Sequence, residues 1–511
     1  MLATVNSCAL IGVDAEIVEV EVDITSGLPS LTIVGLPEAS VKESRERVKS
    51  AIQNSGYRFP DDRITVNLAP ANLKKEGTGL DLPIALGVLA ATGLIPQEGL
   101  KDCLVLGELS LDGRVKPVNG TLPAAIAAQR ARLAQVLAPA ASAAEGAVVS
   151  GTDVIPLTFL YQALEFIRGE RSIAPLRTCA ADLLSPSAPT GGDFSEVMGQ
   201  EQAKRALEIA AAGGHNLLML GPPGSGKTML AKRLVGILPP LSFEEALETT
   251  KIYSVTGHLA PGEALIARRP FRAPHHTISD AGLIGGGHLP RPGEVSLAHN
   301  GVLFLDELPE YKKHVLEVLR QPLEDRRVTI ARAAMSLTYP AAVMLVAAMN
   351  PCPCGYLTDP KHPCRCTPAQ IQRYRGKISG PLLDRMDIHV QVPAVPWKDL
   401  QHVSPAESSA AIQARVFKSR ARQLARFGGN GIPCNARMAS RHVRRWCTID
   451  TASSRLLETA VDKLGLSARA YHRVLKIART IADLAGTEAI GANHIAEAIQ
   501  YRTIDRGRML A

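Results

Sequence analysis

The run Gly221-Pro222-Pro223-Gly224-Ser225-Gly226-Lys227-Thr228 constrains this chain more than any other stretch. It fits the spacing G-x-x-x-x-G-K-S/T of a phosphate-binding loop. Its context is also right, because an apolar strand-like run, Asn216 to Leu220, precedes it and a helix-favouring run, Met229 to Leu238, follows. Glycines let backbone amides curve around phosphates, and the helix N-terminus adds the positive end of its dipole. Lys227 would place a point charge on the outer phosphates of ATP, and the Thr228 hydroxyl would ligate Mg²⁺.

A second motif is needed, since one loop can match by chance. Val302-Leu303-Phe304-Leu305-Asp306-Glu307 is four apolar residues ending in two carboxylates. That pattern suits a buried parallel strand with its acids at the C-terminal end, the edge where open α/β sheets bind ligands. Asp306 would hold the Mg²⁺ shell and Glu307 would polarise the attacking water. Lys227 and Asp306 stand 79 residues apart (306 − 227), more than one helix, one strand and their loops require. The excess, around Thr256 to Asn300, implies an insertion carrying Arg268, Arg269, Arg272, His275, His276 and the triple Gly285-Gly286-Gly287.

The 511 residues predict two to four domains. Residues 1 to about 172 alternate short strand-like runs with helical segments. Ala15 to Val22, Ile64 to Leu68 and Leu104 to Leu106 read as strands, Leu80 to Leu94 as a buried helix. The Ala-rich stretch Ala124 to Ala147 reads as helical. Residues 173–192, rich in Pro, Ser and Gly, read as a linker, 193–396 as the nucleotide-binding core, and 397–511 as a helical lid. The N-terminus lacks a basic segment ahead of its apolar residues, unlike a signal peptide. The longest apolar stretch, Tyr339 to Met349, is too short to span a bilayer. The expectation is a cytoplasmic protein with no membrane partner, whose nine cysteines stay reduced.

Four of those cysteines, Cys352, Cys354, Cys364 and Cys366, fall in the pattern C-x-C-x₉-C-x-C. In a reducing compartment such clustering points to a closed structural Zn²⁺ site, the alternative being four reduced thiols. His362 is a substitute ligand. The net charge of +8 favours anionic partners, while the 4% aromatic content argues against base-stacking platforms. Residues 411–447 carry nine Lys/Arg and no Asp or Glu. A polyanion partner and a face pairing with acids of another subunit both fit such a stretch.

Pro270-Phe271-Arg272-Ala273-Pro274-His275-His276-Thr277, then Gly293-Glu294-Val295-Ser296-Leu297-Ala298-His299, then the acidic strand, resemble the magnesium-chelatase-like branch of the AAA+ ATPases. The full layout resembles its ComM-type (YifB-like) members. The resemblance implies a P-loop AAA+ core with a helical lid, preceded by a Lon-protease-like (ribosomal S5-type) α+β domain. It implies that Asn350 is the sensor 1 residue, that Arg385 in Gly380 to Asp387 is an arginine finger reaching a neighbour's ATP, and that Arg469 is sensor 2. Arg473 and Arg479 on the same helix read as a solvated face. A homo-oligomeric ring, a hexamer, follows. The segment Arg327 to Thr338, with Arg332 near its tip, matches a pore hairpin that could pair with phosphates.

At the Lon-type nucleophile site, Glu76 to Asp81, a glycine stands where serine is needed, and Leu122 stands at the lysine site. No Ser–Lys dyad is expected, so proteolysis is not. Lys74 and Lys75 beside it read as a solvated surface pair or a DNA contact. The resemblance implies an ATP-driven helicase acting on single-stranded or branched DNA, with recombination proteins as further partners. Its role would be branch migration in natural transformation. The alternative is a protein-remodelling motor of chelatase type.

Overall fold

The computed structural model describes residues 1–178, 183–184, 192–287, 290–332, 336–357, 359, 362–395, 407–465 and 467–502. They fall into two compact units: Met1–Ser185 with Ser242–Arg268 and Ala331–Tyr339, and Pro186–Leu241 with Arg269–Ile330 and Pro340–Ala511. The sequence-based boundaries place 242–268 and 331–339 with the nucleotide core, whereas both group with the first unit. Helix Phe243–Thr256 instead packs on helix Thr121–Arg130 of the first unit. Most of the 173–192 stretch lies outside the described residues.

The first unit is built on a seven-stranded mixed sheet. Its order is Ser30–Val34, Arg63–Ala69, Asp14–Thr25, Leu2–Ile11, Cys103–Val105, Gln135–Pro139, Asp153–Leu157. The long strands Leu2–Ile11 and Asp14–Thr25 pair antiparallel and largely alternate buried with partly or fully exposed residues, the period-2 pattern of a half-buried sheet. Helix Asp81–Ala91 is buried at every position, as its unbroken apolar run requires. The Ala-rich stretch differs from expectation. Helix Thr121–Arg130 stops, Arg132 takes a left-handed φ of 60°, and Gln135–Pro139 enters the sheet as a parallel strand. Burial between two parallel neighbours overrides alanine's helix preference there.

The second unit holds a five-stranded sheet ordered Phe271–Arg272, Val302–Leu305, Met344–Met349, Leu217–Leu220, Ile388–Gln391, parallel at every pairing. Counted along the chain from the phosphate-loop strand, the order is 5-1-4-3-2. The three central strands are buried throughout, which explains their unbroken apolar sequences. Because all five run one way, the residues following each strand share one edge. Gly221, Asp306, Asn350 and Val392 emerge there, while Asn216 and Asp387 mark the opposite edge.

The C-terminal helices obey local rules. Ser409–Phe427, Thr451–Leu464 and Ala468–Ala485 are capped by Ser408, Asp450 and Ser467, each accepting a hydrogen bond from the third residue on. All three end at a left-handed glycine, Gly428, Gly465 or Gly486. Their centre is polar. Asp483, wholly buried, accepts from Arg426, from Asn435 Nδ2 at 2.8 Å and from Arg479 Nε at 3.1 Å. Arg479 is therefore a core residue, and Arg473 pairs with Asp387, so neither forms the solvated face expected of them.

Candidate active site

The phosphate loop follows its strand directly, with helix Lys227–Leu234 behind it. Gly221 must be glycine, because a Cβ there would lie 2.1 Å from the Val392 carbonyl oxygen. Lys227 is 8% exposed, and its Nζ donates to the Gly221 and Pro222 carbonyls at 2.8 Å each and to Asn350 Oδ1 at 3.3 Å. Burial draws its pKa down, and Asp306 and Glu307 push back. An amine spending its protons on loop carbonyls is poised to exchange them for stronger acceptors.

Thr228 Oγ1 donates to Asp306 Oδ2 at 2.6 Å, so a hydroxyl from the helix behind the loop and a carboxylate from a strand end meet at one point. Hard oxygen donors of this kind suit Mg²⁺. Glu307 has a left-handed φ of 50°, a conformation that costs a non-glycine residue about 1–3 kcal/mol and that clusters at functional sites. Its carboxylate lies 3.3 Å from His276 Nδ1. His276 and Tyr311, whose hydroxyl donates to the Pro274 carbonyl at 2.6 Å, are site residues that sequence reading missed. The His275-His276 pair within an Arg-rich insertion was the available signal.

Arg385 and Arg469 do not join this cluster. Both reach Glu324, Arg385 through a short hydrogen bond and Arg469 at 3.6 Å. They line a cavity of ≈ 440 Å³ with Asp387, Arg437, Arg473 and Lys476. The cavity sits at the N-terminal edge of the sheet, where Asn216 Nδ2 donates to the Arg385 carbonyl at 2.8 Å and Asp387 N donates to Asn216 O at 2.9 Å. Strand Leu217–Leu220 separates that edge from the phosphate loop by roughly 13 Å, at ~3.3 Å per residue. Burial alone would raise the pKa of Asp387, but Arg473, His215 and Lys476 outweigh it and hold the carboxyl well below the ordinary range.

The four clustered cysteines converge. Cys352, Cys354 and Cys364 place their sulfurs 3.3–3.6 Å apart, and all four sulfurs, Cys366 included, lie within 4.8 Å of one another. No disulfide joins them. Backbone N–H groups of Tyr356 and Arg365 on Cys354 lower its thiol pKa to about 6, whereas burial lifts Cys352 to about 12. His362 pairs with Asp359 rather than joining the sulfurs.

The basic stretches are less available than their sequence implied. Of the nine cations in 411–447, Arg415 pairs with Glu208 and Glu407, Arg426 with Asp483, and Arg420, Arg422 and Arg437 donate to backbone carbonyls of this same chain. Lys418, Arg441, Arg444 and Arg445 remain exposed. In the insertion, Arg269 donates to three carbonyls and Arg272 clamps Glu294. Lys74 pairs with Glu38, and Lys75 is wholly buried on the Pro70 carbonyl, so these two lysines form no solvated pair. Arg332 is exposed beside the hairpin tip, 333–335, which lies outside the described residues.

A phosphate loop and an acidic strand end on one edge of a parallel 5-1-4-3-2 sheet define a P-loop ATPase. Models of the magnesium chelatase subunit ChlI match residues 193–400 and 20–142, and one of its C-terminal region matches 406–502. The chain is 46% identical over 506 residues to the uncharacterized protein YifB of Salmonella typhimurium, covering 99% of this chain and 98% of that one. It is 45% identical over 508 residues to the competence protein ComM of Haemophilus influenzae, at the same coverage. Lon protease 2 of Bacillus subtilis is 31% identical over 151 residues, 28% of this chain and 27% of that one. The chain belongs to the YifB/ComM family of magnesium-chelatase-like AAA+ ATPases. Among the described residues no helix is long and apolar enough to cross a membrane.

Proposed function

We propose that this protein is a cytoplasmic, ring-forming motor that couples ATP hydrolysis to movement on single-stranded or branched DNA. Its task is branch migration in natural transformation and homologous recombination, alongside recombination proteins. The observation that carries the ring is the separation of two half-sites. Lys227, Thr228, Asp306, Glu307 and Asn350 gather at one sheet edge, and Arg385 and Arg469 converge on Glu324 at the other. One chain cannot bring both to the same nucleotide, whereas a head-to-tail neighbour can, and repetition of that contact closes a ring such as a hexamer.

In that arrangement the loop amides and Lys227 bind the phosphates, the amine leaving the Gly221 and Pro222 carbonyls to do so. Thr228 and Asp306 would hold Mg²⁺, which supplies charge neutralisation on the phosphates. Glu307 accepts the proton of the attacking water, and Asn350 orients that water. Arg385 and Arg469 leave Glu324 for the neighbour's γ-phosphate, where their charge counts most in the transition state. The four thiolates are assigned to a closed structural Zn²⁺ site. The name of the Haemophilus relative supports a role in competence. The exposed Arg332, Arg441, Arg444 and Arg445 are the candidate phosphate contacts.

A protein-remodelling motor of chelatase type is the second reading. It is favoured by the internal use of most lid arginines, which leaves less charge for a polyanion. ATP turnover measured alone and with single-stranded, duplex and branched DNA separates the two, with Lys227→Ala as control. Stimulation by single-stranded or branched DNA, absent in Lys227→Ala, is expected. Turnover indifferent to all three DNAs would reject the DNA motor in favour of the remodelling one.

A further inference from the structure

The cysteine cluster does not stand apart from the nucleotide site. It follows Asn350 by two residues, and Asn350 Oδ1 accepts from Lys227. The turn closing on the first two cysteines is held by Gly355 N donating to the Cys352 carbonyl at 3.0 Å. Gly355 has a left-handed φ of 85°, and a Cβ built on it would lie 2.5 Å from Cδ and 2.7 Å from Cγ of Pro223. Pro223 is the third residue of the phosphate loop. The backbone of the cysteine turn is thus the surface on which that loop rests, and only glycine lets the two approach so closely.

The cluster itself is shaped for a metal. Tetrahedral Zn²⁺ with Zn–S near 2.3 Å needs sulfurs about 3.8 Å apart, and the observed pairs at 3.3 and 3.6 Å sit just inside that. Backbone amides of Gly355 and Leu357 point at Cys352, those of Tyr356 and Arg365 at Cys354, and Cys366 N donates to Cys364 Sγ at 3.4 Å. Amides aimed at sulfur fix the direction in which each sulfur faces, as a metal site requires. Arg375 Nε anchors the entry to the cluster by donating to the Pro351 carbonyl at 3.0 Å.

We propose that Zn²⁺ held by Cys352, Cys354, Cys364 and Cys366 is a clamp on the phosphate loop: by fixing the Cys352–Gly355 turn it sets the surface that positions Pro223. The proposal rests on the zinc assignment made above and adds a function to it. Without the metal nothing ties the four sulfurs together, the turn loses its fixed point, and the loop loses its backing. Nucleotide affinity, not only turnover, then depends on a metal that touches no nucleotide.

The test has three arms on the full-length protein. Metal analysis of the purified chain is expected to give about one zinc per chain; a chain isolated under reducing, zinc-replete conditions with none would refute the zinc assignment and the clamp with it. Removal of the metal by a chelator under reducing conditions is expected to weaken binding of a fluorescent ATP analogue by on the order of ten-fold. Zn²⁺, but not Mg²⁺, restores it, with circular dichroism reporting whether the fold survives. Gly355→Ala keeps all four ligands and is expected to retain zinc yet bind the analogue more weakly, because its methyl group collides with Pro223. Zinc present, with wild-type nucleotide affinity in both Gly355→Ala and the folded metal-free protein, would overturn the clamp while leaving the zinc site standing. If the metal-free protein unfolds, Gly355→Ala alone decides.

Discussion

Arg385→Ala separates the two-edge account from a simple structural reading. Arg385 is 9% exposed, and its guanidinium donates to Glu324 and to the carbonyl of Pro381. Glu324 is 56% exposed, so it rehydrates once its partner is gone. Losing an ion pair with an exposed member costs stability at most about 1 kcal/mol. The catalytic cost is of a different size. An arginine finger contributes ~10³–10⁵ in turnover, equivalent to about 4–7 kcal/mol at 1.36 kcal/mol per decade. Nucleotide affinity of the dilute protomer should not change, because the phosphate loop lies at the other end of strand Leu217–Leu220. The assay is therefore triple: turnover at saturating ATP, affinity for a fluorescent analogue, and thermal midpoint. Turnover must collapse while the other two hold. Turnover within about three-fold of the parent, or a loss of affinity that matches the loss of turnover, would exclude Arg385 as a finger acting on a neighbour's nucleotide.

Asp483→Ala leaves the buried Arg426 and Arg479 without their shared carboxylate, which should cost about 3–5 kcal/mol, read as a large fall in denaturation midpoint. Asp387 has a folded pKa held below its unfolded value near 4. Its stabilisation is thus complete above that pH and is lost as pH falls toward the depressed value, so Asp387→Asn should flatten the acid limb of a stability–pH profile. His276→Ala removes the imidazole beside the Glu307 carboxylate and should change turnover and its pH profile with little change in melting temperature; identical profiles would remove His276 from the site.

The candidate nucleotide site was legible as a grouping because its parts are short motifs at strand ends, and a parallel sheet delivers strand ends to a common edge. The phosphate loop, Asp306-Glu307 and Asn350 could be placed from spacing and resemblance with no knowledge of packing. His276 could not, since its meeting with Glu307 depends on how the Pro270–Thr277 segment runs beside strand Val302–Leu305. The basic stretch 411–447 is less exposed than its sequence suggests for a related reason. Charge density says nothing about direction, and Arg420, Arg422 and Arg437 turn inward to backbone carbonyls. The same blindness made Arg479 look like surface, although three groups of the protein itself hold it. In the first unit, the strand Gln135–Pro139 was hidden because alanine's propensity is a weak prior against burial between two parallel neighbours.

In the proposed ring each ATP is hydrolysed by residues of two copies. The most direct measurement mixes Lys227→Ala, which keeps its arginine edge, with Arg385→Ala, which keeps its phosphate loop. Each alone should be inactive. Randomly assembled one-to-one rings would pair an intact loop with an intact neighbouring arginine at about one quarter of interfaces, so ATP turnover should reappear on mixing. No recovery in rings shown to contain both variants would contradict the composite site.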